Sequence, residues 1–107
     1  MLNSVYRRVA LVTLVAAWSQ VALAHFPFVE CTKETPDIVC LGGFSDGSSA
    51  QGVTIDLISY DEEIIASKTF DDHSRVQFEP YDGEFYILLD AGPGHTVEVD
   101  WNEISAR

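Results

Sequence analysis

The chain has 107 residues, with 6 basic side chains against 17 acidic ones and a formal net charge of −11. That length allows one domain with a modest core. The sign of the charge argues against a nucleic-acid partner, whose phosphates call for Lys and Arg.

The first element is a predicted signal peptide over residues 1–24. Arg7 and Arg8 form its basic start, Val9 to Ala17 its apolar stretch, and Ala22 and Ala24 the small residues at −3 and −1 of a cleavage site. The apolar stretch is too short for a transmembrane span, and no later run approaches the roughly 20 residues that one needs. Cleavage after Ala24 makes His25 the first residue of an exported, periplasmic domain, residues 25–107. No cysteine follows the cleavage point, so no lipid anchor is expected. Arg7 and Arg8 leave with the peptide, so four basic residues then face 17 acidic ones, a net charge of −13. Scattered carboxylates of this kind chiefly keep an exported domain soluble, and they also favour cations as ligands.

After Ala24 there are short β-rich runs separated by turn residues, with no capped helical periodicity. His25–Thr32 is the first predicted strand, followed by the turn Lys33–Pro36 and a second strand, Asp37–Phe44. Ser45-Asp46-Gly47-Ser48-Ser49 reads as a loop. Gly52–Tyr60 alternates, with Val53, Ile55 and Leu57 on one face. Glu63–Phe70 follows the turn Asp61-Glu62. Beyond Asp71–Ser74, Arg75–Glu79 directs Val76 and Phe78 to one side. Pro80-Tyr81-Asp82-Gly83 makes another turn. Phe85–Leu89 is a continuous apolar run, the pattern of a central strand covered on both faces. His95–Trp101 alternates Val97, Val99 and Trp101 with Thr96, Glu98 and Asp100. Seven strands with turns every eight to twelve residues predict an all-β, seven-stranded antiparallel β-sandwich.

Cys31 and Cys40 fall in the first two strands, whose short connection would set them opposite each other. In an oxidising compartment an even pair reads most simply as one disulfide. The eight-residue gap between them matches none of the common zinc-ligand spacings.

Three segments taken together carry a family resemblance. They are Gly43-Phe44-Ser45-Asp46-Gly47 with the following Gly52-Val53-Thr54-Ile55, the strand Glu84–Leu89, and Asp90-Ala91-Gly92-Pro93-Gly94-His95. In combination they resemble a family of small periplasmic proteins that accompany energy-coupling-factor type nickel and cobalt uptake transporters. The domain of that family is similar to the carboxypeptidase regulatory-like, or transthyretin-like, β-sandwich. The resemblance covers nearly all of residues 25–107 and implies association with membrane metal-transporter components. Two features depart from it. Relatives commonly have a glycine in the turn before the strand matching Arg75–Glu79, where Asp71-Asp72-His73-Ser74 stands here. The Cys31/Cys40 pair is also not expected throughout the family.

The candidate chemistry centres on histidine. A terminal His25 offers one metal ion both its free α-amine and its imidazole Nδ1, a chelate that no internal histidine can form. His95, after the Ala91–Gly94 turn, would add a third nitrogen. An all-nitrogen set suits Ni(II) or Cu(II), and the family resemblance adds Co(II). Asp90 is a further ligand candidate, or an acceptor for a histidine N–H, or simply the cap of its turn. His73 with Asp72 is a weaker, secondary metal candidate in a polar turn. The expected function is an exported metal-binding accessory protein that captures or presents Ni(II) or Co(II) to an uptake transporter. A periplasmic copper-binding protein and a metal-free interaction module are the alternatives. No nucleophile motif is present and the sandwich leaves few loops for a substrate cleft, so an enzyme is not expected.

Overall fold

The computed structural model describes residues 25–106. The predicted signal peptide, residues 1–24, lies outside them. The strands are β1 (Pro27–Glu34), β2 (Asp37–Phe44), β3 (Thr54–Ser59), β4 (Ile64–Thr69), β5 (Arg75–Phe78), β6 (Phe85–Asp90), β7 (Thr96–Asp100) and β8 (Ser105–Ala106). They form two four-stranded sheets, ordered β5-β2-β1-β8 and β4-β3-β6-β7. The all-β sandwich expected from the alternation is therefore present, with eight strands rather than seven. The additional strand has two residues and pairs in parallel with Thr32 and Lys33 of β1. A run that short carries no period of its own, and only its neighbour makes it a strand.

The alternation places the core. From the first sheet Ile38, Cys40, Val76 and Phe78 point inward. From the second Ile55, Leu57, Phe85, Ile87 and Leu89 meet them, all at 4% exposure or less. Ile104 closes the core after a 3₁₀ turn at Trp101–Glu103. β6 is central in its sheet, but only its inner face is fully covered. Tyr86 and Leu88 on the other face are half-buried, so the apolar run over-reads the burial there.

β1 and β2 pair in register from Pro27↔Phe44 to Glu34↔Asp37, with Cys31 directly opposite Cys40. Their Cα atoms lie 4.1 Å apart and the sulfurs are bonded. The disulfide lies on the inner face, with both cysteines buried.

Strand pairing also orients the ends of the sandwich. Phe44 ends β2 opposite the start of β1, and β5 begins at Arg75 opposite Leu41. In the other sheet Thr54 begins β3 opposite Thr69 and Asp90, and Asp90 faces Thr96 at the start of β7. The connections 45–53 and 70–74 join these ends, tied by Gly42 N–H to Ser74 O (2.9 Å), Gly52 N–H to Phe70 O (2.9 Å) and Phe70 N–H to Val53 O (3.1 Å). β1 and β7 therefore begin at the same end of the molecule.

Ser74 makes that junction with a φ of 55°, the left-handed region that glycine enters freely and other residues rarely do. Its hydroxyl accepts the N–H of fully buried Ala50 at 3.0 Å and lies 2.9 Å from the Ser49 hydroxyl. Serine thus trades backbone ease for a hydrogen bond that a glycine could not make.

Candidate functional site

The end of the sandwich shared by the starts of β1 and β7 carries His25, Asp46, Asp90 and His95. The β1–β2 ladder continues one step past the strands: Ser45 N–H donates to Phe26 O at 2.8 Å, and Phe26 N–H to the Ser45 hydroxyl at 3.0 Å. That extension sets residue 25 beside residue 46, and His25 Nδ1 lies 2.9 Å from Asp46 Oδ2. The other Asp46 oxygen accepts the Ser48 hydroxyl (2.6 Å) and the Ser48 N–H (2.9 Å). The Ser48 hydroxyl bond, then its backbone N–H and then the nearby His25, hold the Asp46 carboxyl below its ordinary value of 3.8. Asp46 is the residue that sequence reasoning passed over, as one letter of a polar loop. The signal that could have found it is the hairpin register, counted two residues beyond the strand ends.

His95 is half-buried, in line with its shared parity with Val97 and Val99, and its Nδ1 lies 3.1 Å from Pro93 O. Its N–H donates to Gly92 O at 2.9 Å and its carbonyl accepts Ala91 N–H at 2.9 Å, closing the turn. Asp90 caps that turn by accepting Gly92 N–H at 2.9 Å on Oδ1. The candidates therefore share one end of the fold, each with a local partner: His25 with Asp46, His95 with Pro93, Asp90 with Gly92. The α-amine required for a terminal chelate exists only once residues 1–24 are removed. The same Nδ1 that would chelate is the nitrogen beside Asp46, so chelation requires the imidazole to turn from that carboxylate.

Among the described residues, one group of three potential ligands has its ligand atoms within 4.8 Å of one another: Asp71, Asp72 and His73, all exposed. His73 Nδ1 lies 2.9 Å from Asp72 Oδ1. Asp71 is occupied in shaping the turn, its Oδ1 accepting the N–H groups of His73 (2.8 Å) and Arg75 (3.0 Å). Those two bonds, Arg75's first, hold its carboxyl below the ordinary 3.8.

A feature with no linear signature lies on the outer face of the second sheet. Tyr60, Glu62, Tyr86, Glu98, Asp100 and Glu103 line a recess of about 460 Å³. Tyr60 donates its hydroxyl to Asp100 at 2.6 Å and Tyr86 donates to Glu62 at 2.8 Å. Each phenol is pushed above its ordinary 10.0, first because ionisation would forfeit the bond to the carboxylate. The six residues are spread from 60 to 103, and only the pairing of β6 with β7 and the turn after β3 assemble them.

Comparison of the chain with protein-family models, with curated proteins and with solved structures found no match.

Proposed function

We propose that residues 25–107 form an exported, periplasmic metal-binding accessory protein, not an enzyme. It captures Ni(II) or Co(II) at the His25/His95 end and presents the ion to a membrane uptake transporter. The observation that supports this reading is topological: β1 and β7 begin at the same end of the sandwich, the end that carries both His25 and His95. Asp46 beside His25 Nδ1 adds a carboxylate that can orient the imidazole before binding or compete for it. The nitrogen-rich donor set also fits Cu(II), which divalent ligand preferences place above nickel. The transporter as partner comes from the sequence resemblance.

Calorimetric titration of the correctly processed protein with Ni(II), Co(II) and Cu(II) tests this. One added residue before His25 should weaken binding by about tenfold or more, and His95→Ala should do the same. Unchanged affinity in the extended protein would end the terminal-chelate reading. Asp46→Asn separates the two roles of the carboxylate: tighter binding means that it competes for Nδ1, and weaker binding means that it orients or ligates.

A metal-free interaction module is the second reading. It is favoured by Phe26, Phe28 and Leu41, which are 51–63% exposed and lie on the outer face of the first sheet by the β1–β2 register. Contiguous exposed apolar groups of this kind are characteristic of contact surfaces. Partner binding that survives His25→Ala combined with His95→Ala would support it.

A further inference from the structure

The opposite end of the sandwich holds a cavity of about 360 Å³, within the range of small-molecule sites. Pro36, Pro80, Tyr81 and Trp101 contribute apolar wall, and Lys33 and Asp82 also line it. Part of the wall is packed against the core, through Tyr81 and Trp101. Tyr81 meets the buried Phe85 edge-on, with ring centroids 6.0 Å apart and planes at 85°. Gly83, at a φ of 142°, brings the loop so close that a Cβ there would lie 3.3 Å from the Tyr81 ring. Proline rings and a packed aromatic lose little freedom when a ligand arrives, which favours binding.

The two charges set the ligand class. Among the described residues neither the Lys33 ammonium nor the Asp82 carboxylate has an ion-pair partner. A simple anion would be attracted by Lys33 but repelled by Asp82 and by the strongly acidic domain. A simple cation would meet Lys33 on the same lining. A molecule carrying both charges avoids either penalty, because its carboxylate can face Lys33 and its ammonium Asp82. An apolar or aromatic body then fills the space among Tyr81, Trp101 and the prolines. We propose that this cavity binds a small zwitterion with an apolar side chain, that is, a free hydrophobic amino acid. The proposal is independent of the metal reading, since none of its residues lies at the His25/His95 end.

The test uses a built-in reporter. Trp101 is the single tryptophan of residues 25–107, Trp18 being in the predicted signal peptide. Residues 25–107 are titrated with L-phenylalanine and L-leucine while Trp101 emission is followed. Parallel titrations use 3-phenylpropionate, which lacks the amine, and phenethylamine, which lacks the carboxylate. The expected result is a saturable change with both amino acids and affinity at least about tenfold weaker for each truncated compound, since each loses one charge-assisted contact. Lys33→Gln and Asp82→Asn should each weaken L-phenylalanine binding to a similar extent, with the unfolding temperature unchanged as a check on folding. No saturable change with either amino acid would overturn the proposal. So would equal affinities for L-phenylalanine and its truncated forms, or tighter binding of a capped oligoproline peptide, which would make the cavity a peptide groove.

Discussion

Gly42 and Gly43 are neighbours in β2, and the same added methyl group should have opposite consequences at the two sites. A Cβ on Gly42 would lie 2.7 Å from Phe70 Cζ and 3.2 Å from Ala50 Cβ, and those residues are 2% and 0% exposed. Neither can retreat without moving the core. Overpacking of this kind costs about 1–3 kcal/mol, against about 0.5–1 kcal/mol recovered when glycine leaves a strand. The expected net loss for Gly42→Ala is up to about 2.5 kcal/mol, which lowers the midpoint of a domain this size by up to roughly 10–20 °C. On the other face a Cβ on Gly43 would lie 2.6 Å from Phe28 Cζ, but Phe28 is 53% exposed and can swing into solvent. Gly43→Ala should therefore stay within about 0.5 kcal/mol of the parent, the lost ring contact offsetting the backbone gain. Urea and thermal unfolding of residues 25–107, followed by circular dichroism, measure both. A Phe70→Leu change should recover part of the loss only in the Gly42→Ala background, because only there do the two side chains collide. Equal destabilisation by the two glycine substitutions, or the reverse order, would refute this assignment of inner and outer faces.

Reducing Cys31–Cys40 removes a cross-link between residues nine apart without deleting a buried atom, so the chain-entropy model predicts a loss of about 2–3 kcal/mol. An unfolding midpoint that does not move with reductant would show that the hairpin needs no staple. Ser74→Ala keeps the left-handed backbone and removes the acceptor for Ala50 N–H, and should cost about 1–2 kcal/mol. Ser74→Gly loses the same bond but relaxes the backbone, and should cost measurably less; thermal unfolding ranks the two, and the opposite order would exclude strain at this turn. Asp46 and Asp71 have depressed carboxyl values in the folded chain, so their stabilisation is present above the unfolded value of about 3.9 and is lost as pH falls through the folded values. Urea midpoints measured from pH 5 to pH 2 should fall less steeply for Asp71→Asn than for the parent, and parallel slopes would remove Asp71 from the acid response.

How much was legible in the sequence follows from the range of each interaction. Alternation in Ile55/Leu57, Val76/Phe78 and Val97/Val99 assigns inner faces because a strand has a period of two. Turn residues mark the strand ends for an equally local reason, and a short link between two strands is enough to bring Cys31 opposite Cys40. These features led to the sandwich and to the disulfide. They could not show β8, which exists only because β1 lies alongside it. They also could not show that the outer face of β6 is half open, since burial belongs to what packs against a strand.

The candidate site divides in the same way. His25, His95 and Asp90 stand out in the sequence as residue types beside a predicted processing signal and a glycine-rich turn. That β1 and β7 begin at one end is a property of the order of strands in two sheets, and no spacing along the chain encodes it. Asp46 reaches His25 through a ladder that outlasts its strands, and the opposite cavity gathers Lys33 from the end of β1, Tyr81 and Asp82 from the β5–β6 connection and Trp101 from the 3₁₀ turn. Periodicity, turns, cysteine pairing and acidity are all readable from linear order, because each is a short-range or additive property. Which distant side chains come together, and which of two adjacent glycines has no room for a methyl group, emerge only from the packing of the two sheets. Those outcomes depend on contacts between segments that the chain order leaves far apart.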